Sequence, residues 1–296
     1  MKMQFVNRLV VVVICVFCAC SCAVSKYASN SDYPTPKTTY SPEGTLREVF
    51  YTSSEPSMTS RRAYVYLPKG YETSSKSYPV LYLLHGARGN ELVWIDKANI
   101  LRDIDSLTAC GAMLPSIVVF PNMNQYKSAA DYGNARLKGA LESFYEIDGV
   151  VESRFLSDVV TQTDKMFRTV PEKNSRAVAG LSIGAMQAIH LSANFPDTFG
   201  YVGMFSPMVH SVFVKHTSDN SFYKGLRKKQ RLQFAESPEL YIMMIGHRDF
   251  FYPTVKRYSR SLDKRGYDHE VKYVSGGHEW TNWRAFCDEF LTRLWK

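Results

Sequence analysis

The run Val80 to Leu84 is apolar at every position, and so is Ile117 to Phe120. Short segments without polar alternation fit strands covered on both faces, which is the situation of a parallel sheet with helices packed above and below it. Further strand-like runs lie at Leu46 to Thr52, Ala63 to Leu67, Ser116 to Phe120, Arg176 to Leu181, Tyr201 to Phe205, Leu240 to Ile245 and Glu270 to Val274. Helical spacing of apolar residues occupies Ile100 to Cys110, Phe155 to Phe167, Gly184 to Asn194 before Pro196, and Trp283 to Leu294. Strands alternating with helices over this length predict an α/β chain with a mostly parallel, doubly wound sheet and helices on both faces.

The 296 residues are 45% hydrophobic and only 22% charged, enough apolar surface for a substantial core, which excludes a disordered or fibrous chain. The net charge is +8, and its densest run, Lys224, Arg227, Lys228, Lys229 and Arg231, lacks the interleaved aromatics of a nucleic-acid platform. It reads as a solvated loop or helix face, with no nucleic-acid partner expected.

Lys2 and Arg8 precede the apolar run Leu9 to Ala19, too short for a helix to span a ~30 Å hydrocarbon core but suited to the apolar part of a secretory signal. Residues 1–22 therefore read as a signal peptide, 23–45, rich in Ser, Thr, Pro and Tyr, as a tether, and 46–296 as the folded domain. The stretches Phe17-Cys18-Ala19-Cys20 and Ala19-Cys20-Ser21-Cys22 resemble bacterial lipoboxes, which puts forward Cys20 or Cys22 for lipidation. Neither has Leu three residues before its cysteine, so an ordinary cleaved signal is the alternative. Either way the expectation is an exported bacterial protein, periplasmic or anchored by lipid at the cell surface. Cys110 and Cys287, the cysteines outside this segment, make neither a disulfide framework nor a metal cluster and are expected as buried small hydrophobes.

Gly180-Leu181-Ser182-Ile183-Gly184 stands between the strand Arg176 to Ala179 and a helix. A turn from strand to helix this tight needs neighbours almost without side chains and leaves the serine hydroxyl projecting at the sheet edge, which makes Ser182 the candidate nucleophile. A serine hydroxyl is a weak nucleophile at neutral pH, so a base must take its proton and a carboxylate must orient the base, in the chain order Ser, acid, His. His278, in Gly276-Gly277-His278-Glu279-Trp280 just past a strand, is the candidate base, with His247 as rival; His210, His216 and His269 also lie downstream. Asp249, in Gly246-His247-Arg248-Asp249, is the candidate acid by position, its competing role being the cap of a helix near Pro253. Glu279 and Asp263 are the alternatives. The backbone N–H groups of Ile183 and of Ala87, in His85-Gly86-Ala87-Arg88-Gly89, are the expected oxyanion donors. His85 itself is expected to bond loop backbone. No metal or cofactor signature occurs in the folded part.

Taken together, Tyr64-Val65-Tyr66-Leu67-Pro68, Tyr82 to Gly89 with Trp94, Ala179 to Gln187, Gly246 to Asp249 and Gly277 to Trp280 resemble the esterase D superfamily, and within it carbohydrate esterase family 1, the feruloyl and acetylxylan esterases. The likeness runs from about Arg62 to Trp295. It implies an α/β-hydrolase fold, a triad of Ser182, Asp249 and His278, and ester groups on polysaccharides or oligosaccharides as substrate, with Trp94, Gln187 and Trp280 as candidate substrate contacts. Asn122, Asn124, Tyr126, Tyr132 and Tyr145 are candidates to line an acyl or sugar pocket. The chain departs from the family's usual elbow at Ile183 and Ala185, and from its usual acid loop at His247 and Arg248. The superfamily also holds acyltransferases, siderophore esterases and formylglutathione hydrolases; export argues against the last. A glycan-binding protein on a hydrolase scaffold, the other class of function, predicts loss of a triad member, and none is lost.

Overall fold

The structure is a computed structural model that describes residues 34–54, 60–124, 147–209 and 221–296. Cys20, Cys22 and the signal, residues 23–33 of the proposed tether, Tyr126, Tyr132 and Tyr145, and His210 and His216 lie outside the described residues.

Eight strands form one sheet: β1 (Thr45–Thr52), β2 (Ser60–Leu67), β3 (Val80–Leu84), β4 (Ile117–Pro121), β5 (Arg176–Leu181), β6 (Tyr201–Phe205), β7 (Leu240–Gly246) and β8 (Glu270–Val274). Their order is β1-β2-β4-β3-β5-β6-β7-β8. β2 is antiparallel to β1 and β4, and every other neighbouring pair is parallel. Strands β3 to β7 are buried along their whole length. The edge strand β8 alternates half-buried with exposed positions and carries Glu270 and Lys272 outward, charges that keep a sheet edge from pairing with another chain.

The helices are α1 (Val93–Ala98), α2 (Ile100–Ala109), α3 (Val150–Ser153), α4 (Thr161–Met166), α5 (Ile183–Asn194), α6 (Leu226–Gln233), α7 (Tyr252–Asp263) and α8 (Trp280–Leu291). Successive residues of a strand face opposite sides. Accordingly Leu81 and Leu83 join one core with residues of α1, α2 and α8, while Val80, Tyr82 and Leu84 join the other with residues of α3, α5 and α7. Both faces of the sheet are thus covered, as the unbroken apolar runs require.

Three local expectations change. The span Phe155 to Phe167 is a π-helical turn, Leu156–Val160, followed by α4, with Val159 and Val160 in the core. The last helix starts at Trp280 and ends at Leu291, three residues earlier than its apolar spacing suggests, and is entered from extended backbone at Glu279. Cys287 is buried as expected, but Cys110 is exposed at the end of α2; both thiols are free.

The chain leaves β3 toward β4 on one side and returns through β5 on the other. Ligands of open α/β sheets lie at the carboxyl ends of strands at such a reversal. The loops after β3 and β5 meet there.

Candidate active site

Ser182 leaves β5 and starts α5 with φ 56° and ψ −110°. A left-handed conformation at a residue other than glycine costs of order 1–3 kcal/mol and persists only where packing enforces it. Packing enforces it here. A Cβ on Gly180 would lie 2.7 Å from the Gly184 carbonyl carbon, and one on Gly184 would lie 2.4 Å from the His85 carbonyl oxygen. The absence of two methyl groups lets strand, helix and β3 loop converge on the serine, whose N–H donates to Phe205 O at 2.8 Å.

His278 follows β8, and its Nε2 lies 3.0 Å from Ser182 Oγ. Its Nδ1 lies 2.9 Å from Asp249 Oδ2. The Asp249 carboxylate is wholly buried and the His278 side chain nearly so. Phe250 and Trp283 flank the imidazole with ring centroids 4.4 and 4.8 Å away. The competing role of helix cap is not filled, since the cap of α7 is Phe251 and it has no side-chain cap bond; the second Asp249 oxygen, Oδ1, accepts the Phe251 N–H at 2.9 Å in the turn ahead of the helix. The two loops are tied together as well, His247 N–H donating to Val274 O at 2.8 Å and Arg248 N–H to Gly276 O at 2.9 Å.

The other candidates stand elsewhere. His247 is exposed beside Tyr252. Glu279 is exposed and accepts the Gly277 N–H at 2.9 Å, and Asp263 lies near His269 at 3.8 Å.

The β3 loop presses on the serine turn, so that a Cβ on Gly86 would sit 2.4 Å from Leu181 Cδ1 and 3.4 Å from Ser182 Cβ. His85 Nδ1–H donates to Gly86 O at 2.8 Å, and Gly89 N–H donates to the same oxygen at 3.1 Å. Both bonds hold the plane of the Gly86–Ala87 peptide, whose N–H belongs to Ala87. The tautomer follows from the other nitrogen, since Met123 N–H donates to Nε2 at 2.9 Å and so requires a lone pair there. Asn124 Nδ2 adds a bond to Gly89 O at 2.8 Å. Sequence reasoning missed the anchor beneath: Glu91 forms a buried ion pair with Arg62 of β2 and accepts from Asn122 Nδ2 at 2.6 Å. An acid ahead of Leu92-Val93-Trp94 was the available signal, and alone it does not reveal a partner so distant in sequence. Ile183 is the first residue of α5, where a backbone N–H has no carbonyl a turn earlier to receive it.

Burial pushes the His85 imidazole down to about 4, with the nearby Arg61 charge acting in the same direction. The unfolded chain takes up this proton near the ordinary 6.5, the folded chain only near 4, so stability falls as pH drops through that window. The His85 share is about 3 kcal/mol. Urea unfolding at pH 7 and pH 4.5 should show a smaller acid loss in His85→Gln than in wild type; equal losses would refute the buried neutral imidazole.

Two expected substrate contacts are enclosed instead. Trp94 is 1% exposed, donates from Nε1 to Leu84 O at 3.0 Å and packs edge-on against Phe205 and Trp280. Gln187 is 3% exposed and donates to Glu152 Oε1 at 2.8 Å, joining α5 to α3. The Trp94 indole N–H and the Gln187 amide nitrogen are engaged inside the protein, and Gln187 Oε1 is buried without a hydrogen-bond partner among the described residues, none of which a motif read in one dimension shows. Trp280 remains half-buried, between Trp94 and Trp283. Among the described residues no group of His, Cys, Asp and Glu is arranged to hold a metal ion.

An eight-stranded sheet of this order, with a strained serine at the β5 turn, has the α/β-hydrolase fold. The chain belongs to the Esterase family, whose model, described as "Putative esterase", matches residues 54–292. An endo-1,4-beta-xylanase/feruloyl esterase of Xylanibacter ruminicola is 32% identical over 169 residues, 55% of this chain and 22% of that protein. The chain therefore spans less than a quarter of this relative's length. A ferulic acid esterase of Anaeromyces mucronatus superposes with a TM-score of 0.66 at 20% identity, over 91% of this chain and 98% of that structure. S-formylglutathione hydrolase of Staphylococcus aureus gives 0.63 at 18% identity, over 84% and 96%. At those identities the two structures speak for the fold alone.

Proposed function

We propose that the chain is an exported serine carboxylic-ester hydrolase that removes feruloyl or acetyl groups from plant polysaccharides. The observation that carries the chemistry is the hydrogen-bonded series Ser182–His278–Asp249, set at a strained turn beneath a braced loop. His278 Nε2 takes the Oγ proton as Ser182 attacks the ester carbonyl, and buried Asp249 stabilises the imidazolium that forms. The N–H groups of Ile183 and Ala87 receive the developing oxyanion, each worth about 3 to 4 kcal/mol at the transition state. Collapse of the tetrahedral species breaks the bond to the sugar oxygen, which leaves with the proton from His278, and the acyl group stays on Oγ. Water then attacks the acyl-enzyme, giving its proton to His278; the carboxylic acid leaves and Ser182 regains its hydrogen.

The polysaccharide substrate is supported by the relative that joins a xylanase and a feruloyl esterase in one name, and by half-buried Phe250 beside the imidazole, an aromatic side chain that suits a flat acyl group. Export is supported by the basic and apolar N-terminal segment, with a lipid anchor on Cys20 or Cys22 as part of the same reading. Among the described residues no helix is long and apolar enough to cross a membrane. Purified protein assayed on p-nitrophenyl acetate, methyl ferulate and acetylated xylan should release acid from the activated ester and from at least one of the other two. No turnover of any of the three would sink the proposal.

A further inference from the structure

Residues 221–265 hold eleven Lys and Arg against four Asp and Glu, a net +7 in a chain whose total is +8. Seven of the eleven cations stand on two helices, α6 and α7. Helices α6 and α7 lie next to each other, Gln230 donating to the Tyr258 hydroxyl and Arg265 reaching the Gln230 amide oxygen at 3.3 Å. Gln230, Tyr258 and Leu262 are buried behind this seam, whereas Arg227, Lys228, Arg231, Arg257, Arg260 and Lys264 are exposed.

Among the described residues none of these six forms an ion pair. Five cations elsewhere on the surface are matched: Arg47 by Glu72, Lys69 by Glu43, Lys272 by Glu289, Arg284 by Asp103 and Arg293 by Glu270. Like charges four residues apart on a helix, as Arg227 with Arg231 and Arg260 with Lys264, destabilise it by a few tenths of a kcal/mol per pair. A bound polyanion relieves that repulsion.

We propose that the α6–α7 face binds a carboxylate-bearing polysaccharide, a polyuronate or a chain substituted with uronic acid. The choice of a polysaccharide among polyanions rests on the esterase reading above. Guanidinium groups pair with carboxylates through two parallel hydrogen bonds, and Arg supplies four of the six exposed cations. An anionic membrane fits less well, because a helix that docks in a lipid interface presents an apolar face, and the large exposed apolar side chain on these two helices is Leu232 alone. Single-stranded nucleic acid is disfavoured by the absence of aromatic side chains among the exposed residues of the face.

The test compares full-length wild type with two triple variants of equal net charge. R227E/R231E/R257E reverses the face; K76E/R102E/K165E reverses exposed cations elsewhere. Affinity electrophoresis through polygalacturonate should retard wild type, with neutral arabinoxylan giving no retardation and added salt weakening the effect. The face variant should lose affinity about tenfold or more, while the control variant changes less than about threefold. Equal losses in the two triples, no loss in the first, or tighter binding to phosphatidylglycerol vesicles than to polygalacturonate would overturn the proposal. Circular dichroism monitors folding, and R227Q/R231Q/R257Q replaces a misfolded face variant, with a smaller loss in the same direction. Methyl ferulate turnover is measured in parallel: its absence in wild type removes the esterase reading and leaves the binding result to stand by itself.

Discussion

Ser182→Ala is expected to lower kcat for ester turnover by on the order of 10⁴- to 10⁶-fold while leaving the fold and substrate affinity in place. The change removes one oxygen from a residue that is 2% exposed and is held by backbone contacts, not by its hydroxyl. The left-handed turn is imposed by the close approach of Gly180, Gly184 and the His85 carbonyl, all present in the variant. What is lost is the atom 3.0 Å from His278 Nε2, and with it the acyl-enzyme. Single-turnover assays and labelling with a fluorophosphonate read this directly, with a thermal melt as the control on folding. Turnover above a few per cent of wild type in the alanine protein would remove Ser182 from the mechanism.

Asp249→Asn should cost about 10⁴-fold in kcat with little change in KM. An amide in place of the carboxylate can donate to His278 Nδ1 and then stabilises the wrong tautomer, putting a proton on the nitrogen that must receive one from Ser182. The fold is expected to survive because the other oxygen can still accept the Phe251 N–H. Combining Asp249→Asn with His278→Ala should cost little beyond His278→Ala alone, since both residues act through one proton transfer. Additive losses, or a near-normal Asp249→Asn enzyme, would move the acid to another carboxylate, with Glu279 next in line.

Much of this site is legible in the sequence because its parts are local. The Gly-x-Ser-x-Gly turn, the paired glycines before His278 and the short loop ending at Asp249 are each encoded within a few residues of a strand end, and unbroken apolar runs identify those strands. What local patterns do not carry is the identity of a distant partner. Trp94 and Gln187 sit in motifs that suggest contact with substrate, but burial depends on Leu84, Trp280 and Glu152, all supplied from other elements. The same holds for Glu91, whose partner Arg62 enters from β2. Helix α6 was legible only as a basic run, because its seam with α7 rests on polar Gln230 and gives almost no apolar period. The antiparallel pairing of β2 with β4 has no local signature, since register and direction are set by the sheet as a whole.

His278 hangs from β8, one of the two edge strands, which has one hydrogen-bonded neighbour and two of its five residues exposed. Segments with few buried contacts open locally at a lower free energy than the core, so β8 and its loop can detach while β3 to β7 stay paired. Ester turnover is therefore expected to report the integrity of this edge of the sheet. In mild denaturant the rate should decline before hydrogen exchange at the central strands accelerates, and an inactive preparation can still be almost entirely native.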